Sequence, residues 1–244
     1  MTSRSRGRQG PADHALSVDA VRFDAGTGER IKPPLTAAQR RRLIALATRV
    51  RLAPRRIIYR EGDPLSDIFI VGEGLVKSFR ELASGGRRIV TFLFPRDVFG
   101  LAETGHYVNT TKTITESLIY RIPHETLMAA LQGDAMLQFR FLCKVTEKLR
   151  EAQRQAIMLG RRDAIGRLAM FFKMLEPAGT GRHHDGLIPL PMSRTDIAAY
   201  LGLSAESVSR AARLLAVRKI VAFAGSHAVR VKDRAGFESL VAAA

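Results

Sequence analysis

Thiols are almost absent from this 244-residue chain. Its single cysteine, Cys143, excludes an intrachain disulfide framework and any all-cysteine metal site within one chain, and it predicts a reducing, cytoplasmic setting. Long apolar runs are lacking too. The longest, Ile89 to Phe94, is interrupted by Thr91 and is too short to span a bilayer. No signal-peptide pattern opens the chain. Acid is scarce, with 23 Asp and Glu against 39 Lys and Arg and a net charge of +16. A surplus of this size points to a polyanionic partner, either nucleic acid or an acidic membrane surface. Signatures that would announce an enzyme are missing as well: there is no GxSxG, no Walker sequence and no Cys/His nucleophile pattern. His183-His184-Asp185 resembles a metal-ligand cluster, yet adjacent residues rarely reach one ion together and spacing places no third ligand. A glycine-rich exposed loop is the better reading there, and a metal-dependent enzyme the remote one.

What is present is organised in blocks. Hydrophobic residues make up 46% of the chain, enough for the cores of two modest domains. Residues 1–30 are expected to be a disordered basic arm, with Arg4, Arg6 and Arg8, followed by a linker. Thr36 to about Val50 is expected to be a short helix with Thr36 and Gln39 as a capping box. From Arg55 to Ile122, short β-branched and aromatic segments (IIYR, DIFIVGEG, LVKSFRE, RRIVTFLF, SLIYRIP) alternate with turn signals. They predict a compact antiparallel barrel or jelly roll over residues 31–132. A long helix follows within residues 133–160, from about Asp134 to Leu159. Along it Ala135, Leu142, Val145, Leu149, Ala152, Ala156 and Leu159 recur at steps of three and four, after a first step that Phe139 divides. A narrow apolar seam on a helix otherwise rich in Arg, Lys and Glu predicts pairing with a second helix, in preference to burial on its own domain.

Residues 161–244 begin with a helix from Arg161 to Leu175, which Glu176-Pro177 should end, and continue into the most informative stretch. PMSRTDIAAYLGLSAESVSRAARLL reads as two short helices around a turn at Gly202. Ser193 and Asp196 predict a capping box, Met192 and Ile197 a hydrophobic staple, and Ser204 a cap for the second helix. On that second helix Glu206, Ser209, Arg210 and Arg213 share one face, while Val208, Ala211, Ala212 and Leu215 share the other. An apolar face that packs behind a protruding Glu/Ser/Arg face is what a DNA recognition helix requires. Arginine bonds the O6 and N7 of guanine, glutamate accepts from the N4 of cytosine, and serine serves either role. KIVAF and AVRV then predict a small hairpin, or wing. Residues 193–244 carry eight Lys and Arg against four acids, a local excess suited to phosphate.

The order of β-rich domain, pairing helix and winged helix-turn-helix, with VGEGLVKSFRE, DVFGLAE and SRTDIAAYLGLSAESVSR, resembles the CRP/FNR superfamily of transcription regulators from about residue 31 to 240. The pattern Glu206-x-x-Ser209-Arg210 resembles its FNR and FixK branch. The CRP branch has glycine where Ser209 stands and a further arginine where Ala205 stands. The resemblance implies an α+β chain with an N-terminal β-roll like a cyclic-nucleotide-binding domain, a dimerisation helix and a C-terminal winged helix-turn-helix. It implies a homodimer on double-stranded DNA at a palindrome of the TTGAT-N4-ATCAA kind. Glu206 and Arg210 would read the G·C pair and Ser209 a flanking A·T position. Ser193, Arg194, Thr195, Ser204, Ser207 and Arg213 would make backbone or auxiliary contacts. The seam of Leu142, Val145, Leu149, Ala152 and Ala156 would hold two recognition helices about 34 Å apart, one turn of B-DNA. RNA polymerase would be a partner, with the Glu81–Arg88 loop as its surface, and the targets would be genes of low-oxygen respiration, denitrification or nitrogen fixation.

The family's effectors fit this chain poorly. In the CRP branch, cyclic nucleotide is held by Gly-Glu-Leu and a later Arg-Ser pair. Here Gly100-Leu101-Ala102-Glu103 and Asn109-Thr110-Thr111-Lys112 occupy those places, with Glu103 and Lys112 as the available substitutes. The FNR iron–sulfur cluster needs several thiolates, and Cys143 stands alone. Haem needs an axial ligand, for which His106 lies near the right position but in a turn. Cys143, close in sequence to Lys144 and Arg140, is a weak redox candidate. The expectation is a FixK-like activator with no bound effector, cofactor or metal. The alternative is a relative gated by cyclic nucleotide or haem. If the reader assignment holds, Arg210→Ala should abolish preference at the guanine position, at a cost of about 1–3 kcal/mol, while Arg194→Ala weakens all sequences alike. Binding of each variant to operator and scrambled duplexes checks this, and equal losses on both duplexes for Arg210→Ala would contradict it.

Overall fold

The computed structural model describes residues 35–83, 85–161, 163–179 and 187–242. The basic arm and linker of residues 1–30 and the His183-His184-Asp185 cluster lie outside the described residues. Helix α1 (Ala37–Ala45) carries the expected capping box: the Thr36 hydroxyl accepts from the Gln39 N–H at 3.2 Å, and Gln39 Oε1 accepts from the Thr36 N–H at 3.0 Å.

The roll is built from β1 (Thr48–Leu52), β2 (Ile57–Tyr59), β3 (Asp67–Glu73), β4 (Val76–Glu81), β5 (Arg87–Leu93), β6 (Val98–Phe99), β7 (Thr110–Thr113) and β8 (Ser117–Pro123). They form two antiparallel sheets in the orders β1-β8-β3-β6 and β2-β7-β4-β5. The five predicted strands are all present. Strands β1, β6 and β7 are additional. The first of them corrects the expected helix up to Val50, because Thr-Arg-Val-Arg-Leu alternates with a period of two and gains backbone partners along β8, Val50 opposite Ile119.

Neighbouring residues of the roll serve different cores. Phe69, Val71, Val76, Leu93, Phe99 and Ile119 fill the space between the sheets with Tyr59 and Tyr107. Ile68, Val98 and Ile122 point the other way, into a cluster with Leu43 of α1, Leu127 and Leu131 of α2 (His124–Gln132), and Leu137 and Phe141 of α3 (Ala135–Gly160). Gly100, just after β6, has φ +84°, and a Cβ there would come within 2.9 Å of the Phe69 ring.

The second sheet is also covered on its outer face. Leu75, Phe79, Ile89 and Phe92 join one cluster with α4 (Ala164–Gly179), α5 (Arg194–Leu201), α6 (Ala205–Val217), β9 (Leu187–Pro189), β10 (Val221–Ala224), β11 (Ala228–Val231) and α7 (Arg234–Ala242). A register shift between Ser78 and Phe79, where β5 passes over Val90 from Thr91 to Ile89, lets Ile89 and Phe92, three residues apart on β5, both join this cluster. The predicted wing hairpin of β10 and β11 is present, with β9 as a third strand in the order β10-β11-β9. Helix α4 starts at Ala164, not Arg161, because Asp163 accepts the Gly166 N–H at its first turn. It runs past Pro177 to Gly179, since one missing N–H in the last turn interrupts the ladder without ending it.

Helix α3 matches the predicted long helix and is capped by Asp134, whose carboxylate accepts the Leu137 N–H at 2.9 Å. One of its faces is tied to the roll by Asp97, which is completely buried. Asp97 Oδ2 lies 2.7 Å from Lys148 Nζ and accepts the Phe94 N–H at 2.9 Å, while Oδ1 is 3.7 Å from Lys144 Nζ. Lys144, expected on a charged outer face, is itself only 6% exposed and also pairs with Glu147 at 2.5 Å. A neighbouring face of the helix carries the seam. Leu142 is 61%, Leu149 58% and Val145 38% exposed, with Ala152 and Ala156 exposed beside them. Phe139, Met136 and Ile157 widen this apolar stripe. Removing the Asp97 carboxylate leaves two lysines without their shared buried counter-charge. Asp97→Ala should therefore cost about 3 kcal/mol, the lower end for a broken buried pair because Glu147 remains on Lys144. Urea unfolding at fixed protein concentration measures it, and a loss below about 0.5 kcal/mol would show that the pair is dispensable.

Candidate nucleic-acid interface

The two-helix element is held by local chemistry that the sequence announces. The Ser193 hydroxyl accepts the Asp196 N–H at 3.0 Å and caps α5. Met192 and Ile197, the staple pair, are both buried in the same cluster. Gly202 ends the helix in the left-handed region at φ 63°, ψ 37°, which glycine adopts without strain. The Ser204 hydroxyl accepts the Ser207 N–H at 3.1 Å to cap α6, and the two hydroxyls are hydrogen-bonded at 2.9 Å. The capping box expected at Ser193 is only half formed. Asp196 does not reach back to the cap, because its carboxylate is paired with Lys77 of β4.

On α6 the two faces separate as the spacing predicts. Val208, Ala211, Ala212 and Leu215 are buried, and Glu206, Ser209, Arg210 and Arg213 are exposed. Glu206 and Arg210 lie 3.5 Å apart with side chains 75% and 68% exposed. A pair this open to solvent is weak, so both groups remain available to other partners. Ser193, Arg194 and Thr195 are exposed together at the N-terminus of α5, where backbone N–H groups favour anions. The Arg194 guanidinium lies 6.0 Å from the Phe223 ring of the wing. Arg167 donates to the Leu201 carbonyl at 2.9 Å and so braces the end of α5 from α4.

Sequence reading missed the contact between this element and the roll. Phe92 of β5 lies 5.2 Å from the Tyr200 ring and 6.0 Å from Phe171, and Gln155 of α3 donates to the Ile89 carbonyl at 3.4 Å. The available signal was RRIVTFLF, whose apolar residues fall on both faces of the strand.

Inside the roll, aromatic rings occupy the space between the sheets. Tyr59 and Tyr107 stack at 3.9 Å, and Phe69 lies 5.5 Å from Tyr59 and 5.2 Å from Phe99. Burial pushes the Tyr59 hydroxyl up to about 12, partly offset by its hydrogen bond with Thr111. The Tyr107 hydroxyl donates to the Asp67 carbonyl at 2.9 Å. Glu103 and His106 are exposed, and Lys112 is half-buried. Cys143 is half-buried on α3. Among the described residues no cluster of three potential metal ligands occurs, and no helix is long and apolar enough to cross a membrane.

Comparison with known proteins agrees with this architecture. Residues 49–134 match the cyclic nucleotide-binding domain family and residues 166–240 the Crp-like helix-turn-helix domain. The nitrogen fixation regulation protein FixK of Rhizobium meliloti is 31% identical over 77% of this chain and 84% of its own length. The transcriptional activatory protein AadR of Rhodopseudomonas palustris is 28% identical over 81% of this chain and 83% of its own length. The structure of FixK2 from Bradyrhizobium japonicum superposes with a TM-score of 0.75 at 31% identity, covering 81% of this chain and 98% of that one. With both of its modules matched in order and its relatives regulators of gene expression, the chain belongs to the CRP/FNR family and is a DNA-binding transcription regulator of the FixK/FNR type.

Proposed function

We propose that this regulator is a homodimeric activator that binds an FNR/FixK-type palindrome, TTGAT-N4-ATCAA or close to it, without a bound effector. The observation that carries the reading is the division of α6, with Glu206, Ser209 and Arg210 exposed to solvent above a buried apolar face. In this reading Arg210 and Glu206 take the two strands of the G·C pair and Ser209 a flanking A·T position. Arg194, Thr195 and Arg213 approach phosphates, assisted by the capped helix ends at Ser193, Ser204 and Ser207. The exposed seam of Leu142, Val145, Leu149, Ala152 and Ala156 supports a twofold along α3, which gives the palindrome its symmetry.

Independence from effector is supported by the interior of the roll. Stacked Tyr59, Tyr107, Phe69 and Phe99 stand between the sheets, and the substitutes available for a nucleotide phosphate and ribose, Lys112 and Glu103, do not form a buried clamp. Exposed His106 suits a haem ligand poorly, and lone Cys143 cannot hold a cluster. RNA polymerase is the further partner proposed, through the hairpin from Glu81 to Arg88, where Leu82 is 45% exposed. A cytoplasmic location follows from that role. The names of the relatives, which speak of nitrogen fixation and of activation, support targets in low-oxygen or nitrogen metabolism.

Two measurements test the reading. Fluorescence anisotropy of the ligand-free protein should show the palindrome bound about a thousandfold or more tighter than a scrambled duplex at one physiological salt concentration. Equal binding to both would overturn the effector-free operator reading. Leu149→Glu, which places a charge in the middle of the seam, should convert the dimer to monomer in sedimentation at micromolar concentration and abolish palindrome binding. A variant that stays dimeric would move the interface elsewhere.

A further inference from the structure

The roll and the DNA-reading element meet around one ion pair. Lys77 of β4 and Asp196 of α5 are 119 residues apart in sequence, and their side chains are only 16% and 18% exposed. Lys77 Nζ lies 5.9 Å from the Phe79 ring, and Phe79, Ile89 and Phe92 share one apolar cluster with Ile197 and Tyr200, the rings of Phe92 and Tyr200 being 5.2 Å apart. Lys112 of β7 stands directly opposite Lys77 in the sheet. Like charges opposed across strands repel, so this face of the roll holds positive charge that calls for a carboxylate. Asp196 supplies it from the third residue of α5. The same helix exposes Arg194 and Thr195 at its first two positions, and its far end turns through Gly202 into α6. The Arg88 guanidinium of β5 packs against that glycine, a second contact from the roll at the other end of the helix.

We propose that Lys77 is a positioning residue for DNA binding. Its pair with Asp196, together with the aromatic contact between Phe92 and Tyr200, latches α5 onto the roll and so sets the direction in which α6 presents Glu206 and Arg210. The roll then does structurally, and permanently, what a bound ligand would otherwise do by shifting a population. A chain that is latched in only a fraction of molecules binds its operator more weakly by that fraction. The inference rests on the reading that α5 and α6 engage DNA.

The latch makes a prediction opposite in sign to simple electrostatics. Asp196 is an acid close to the surface that meets phosphate. If its charge merely repelled DNA, Asp196→Asn would tighten binding and Lys77→Met would weaken it. If the pair positions the helix, both substitutions weaken palindrome binding, by about tenfold for a tenfold fall in the latched fraction. The double variant would then be no weaker than either single one. Scrambled-duplex affinity, which needs no fixed orientation, should change less than twofold for Asp196→Asn. Hydrogen exchange of the DNA-free dimer provides a readout independent of any operator. Amides of residues 197–203 should exchange about tenfold faster in both single variants, while those of β3 and β8 stay as slow as in the parent. Tighter palindrome binding by Asp196→Asn, or unchanged exchange of α5 in both variants, would overturn the proposal. Failure of the parent chain to prefer the palindrome would overturn the operator reading alone, and exchange would still decide whether the pair holds the helix.

Discussion

The architecture depends on a carboxylate that water cannot reach. Asp97 sits at the end of the loop leading into β6, fully buried, and gathers Lys144 and Lys148 from one face of α3. Burying charge is costly unless it is paired and hydrogen-bonded, so this cluster tolerates few other orientations of the helix. Leu137 and Phe141 lie along the same buried side. With that side committed to the roll, the stripe from Met136 through Leu149 to Ile157 is left facing outward. The exposure of this stripe thus follows from an electrostatic anchor on a neighbouring face of the same helix.

A second constraint is that the sheet β2-β7-β4-β5 is buried on both faces. Its inner face closes the roll around Tyr59 and Val76, and its outer face carries Phe79, Ile89 and Phe92 into the core of the helix-turn-helix. The connection between roll and reader is therefore a packed interface, not a flexible tether. Aromatic contacts at 5–6 Å supply area, and Lys77 with Asp196 supplies direction. Two modules joined in this way move as one body unless something separates the interface, which suits a regulator whose roll is filled by its own side chains.

Much of this was legible in the residues. Thr36 with Gln39, Ser193, Gly202 and Ser204 are local devices, and each sits where its own chemistry requires. The α6 pattern separated buried from exposed positions correctly because its apolar residues repeat with the helical period of 3.6. The seam was readable for the same reason. The strands that escaped notice are very short or adjoin a helical pattern. Strand β6 has two residues and β9 three, too few to show a period, and they exist as strands because β3 and β11 offer them partners. Strand β1 was hidden at the end of an arginine-rich helix and emerges only because β8 pairs with it. Asp196 was assigned to its own helix cap, the nearest donor in sequence, while the donor it uses comes from a different module.

The sequence by itself determined the local vocabulary: where helices start and stop, which face of α6 is apolar, that α3 bears a seam, and that the whole molecule seeks a polyanion. These depend on neighbours within about a turn of helix or a pair of strands, and such interactions are written in spacing. Tertiary structure alone decided which charged residues are buried and which are free. Lys144, Lys148 and Arg150 look alike in a helix of mixed charge, yet the first is buried, the second is tied to Asp97, and the third is exposed. Lys77 and Asp196 meet only after the roll has closed and the reader has docked. A charge acquires its partner from whatever the fold brings within a few ångströms, and that is a property of the assembled chain and not of any segment of it.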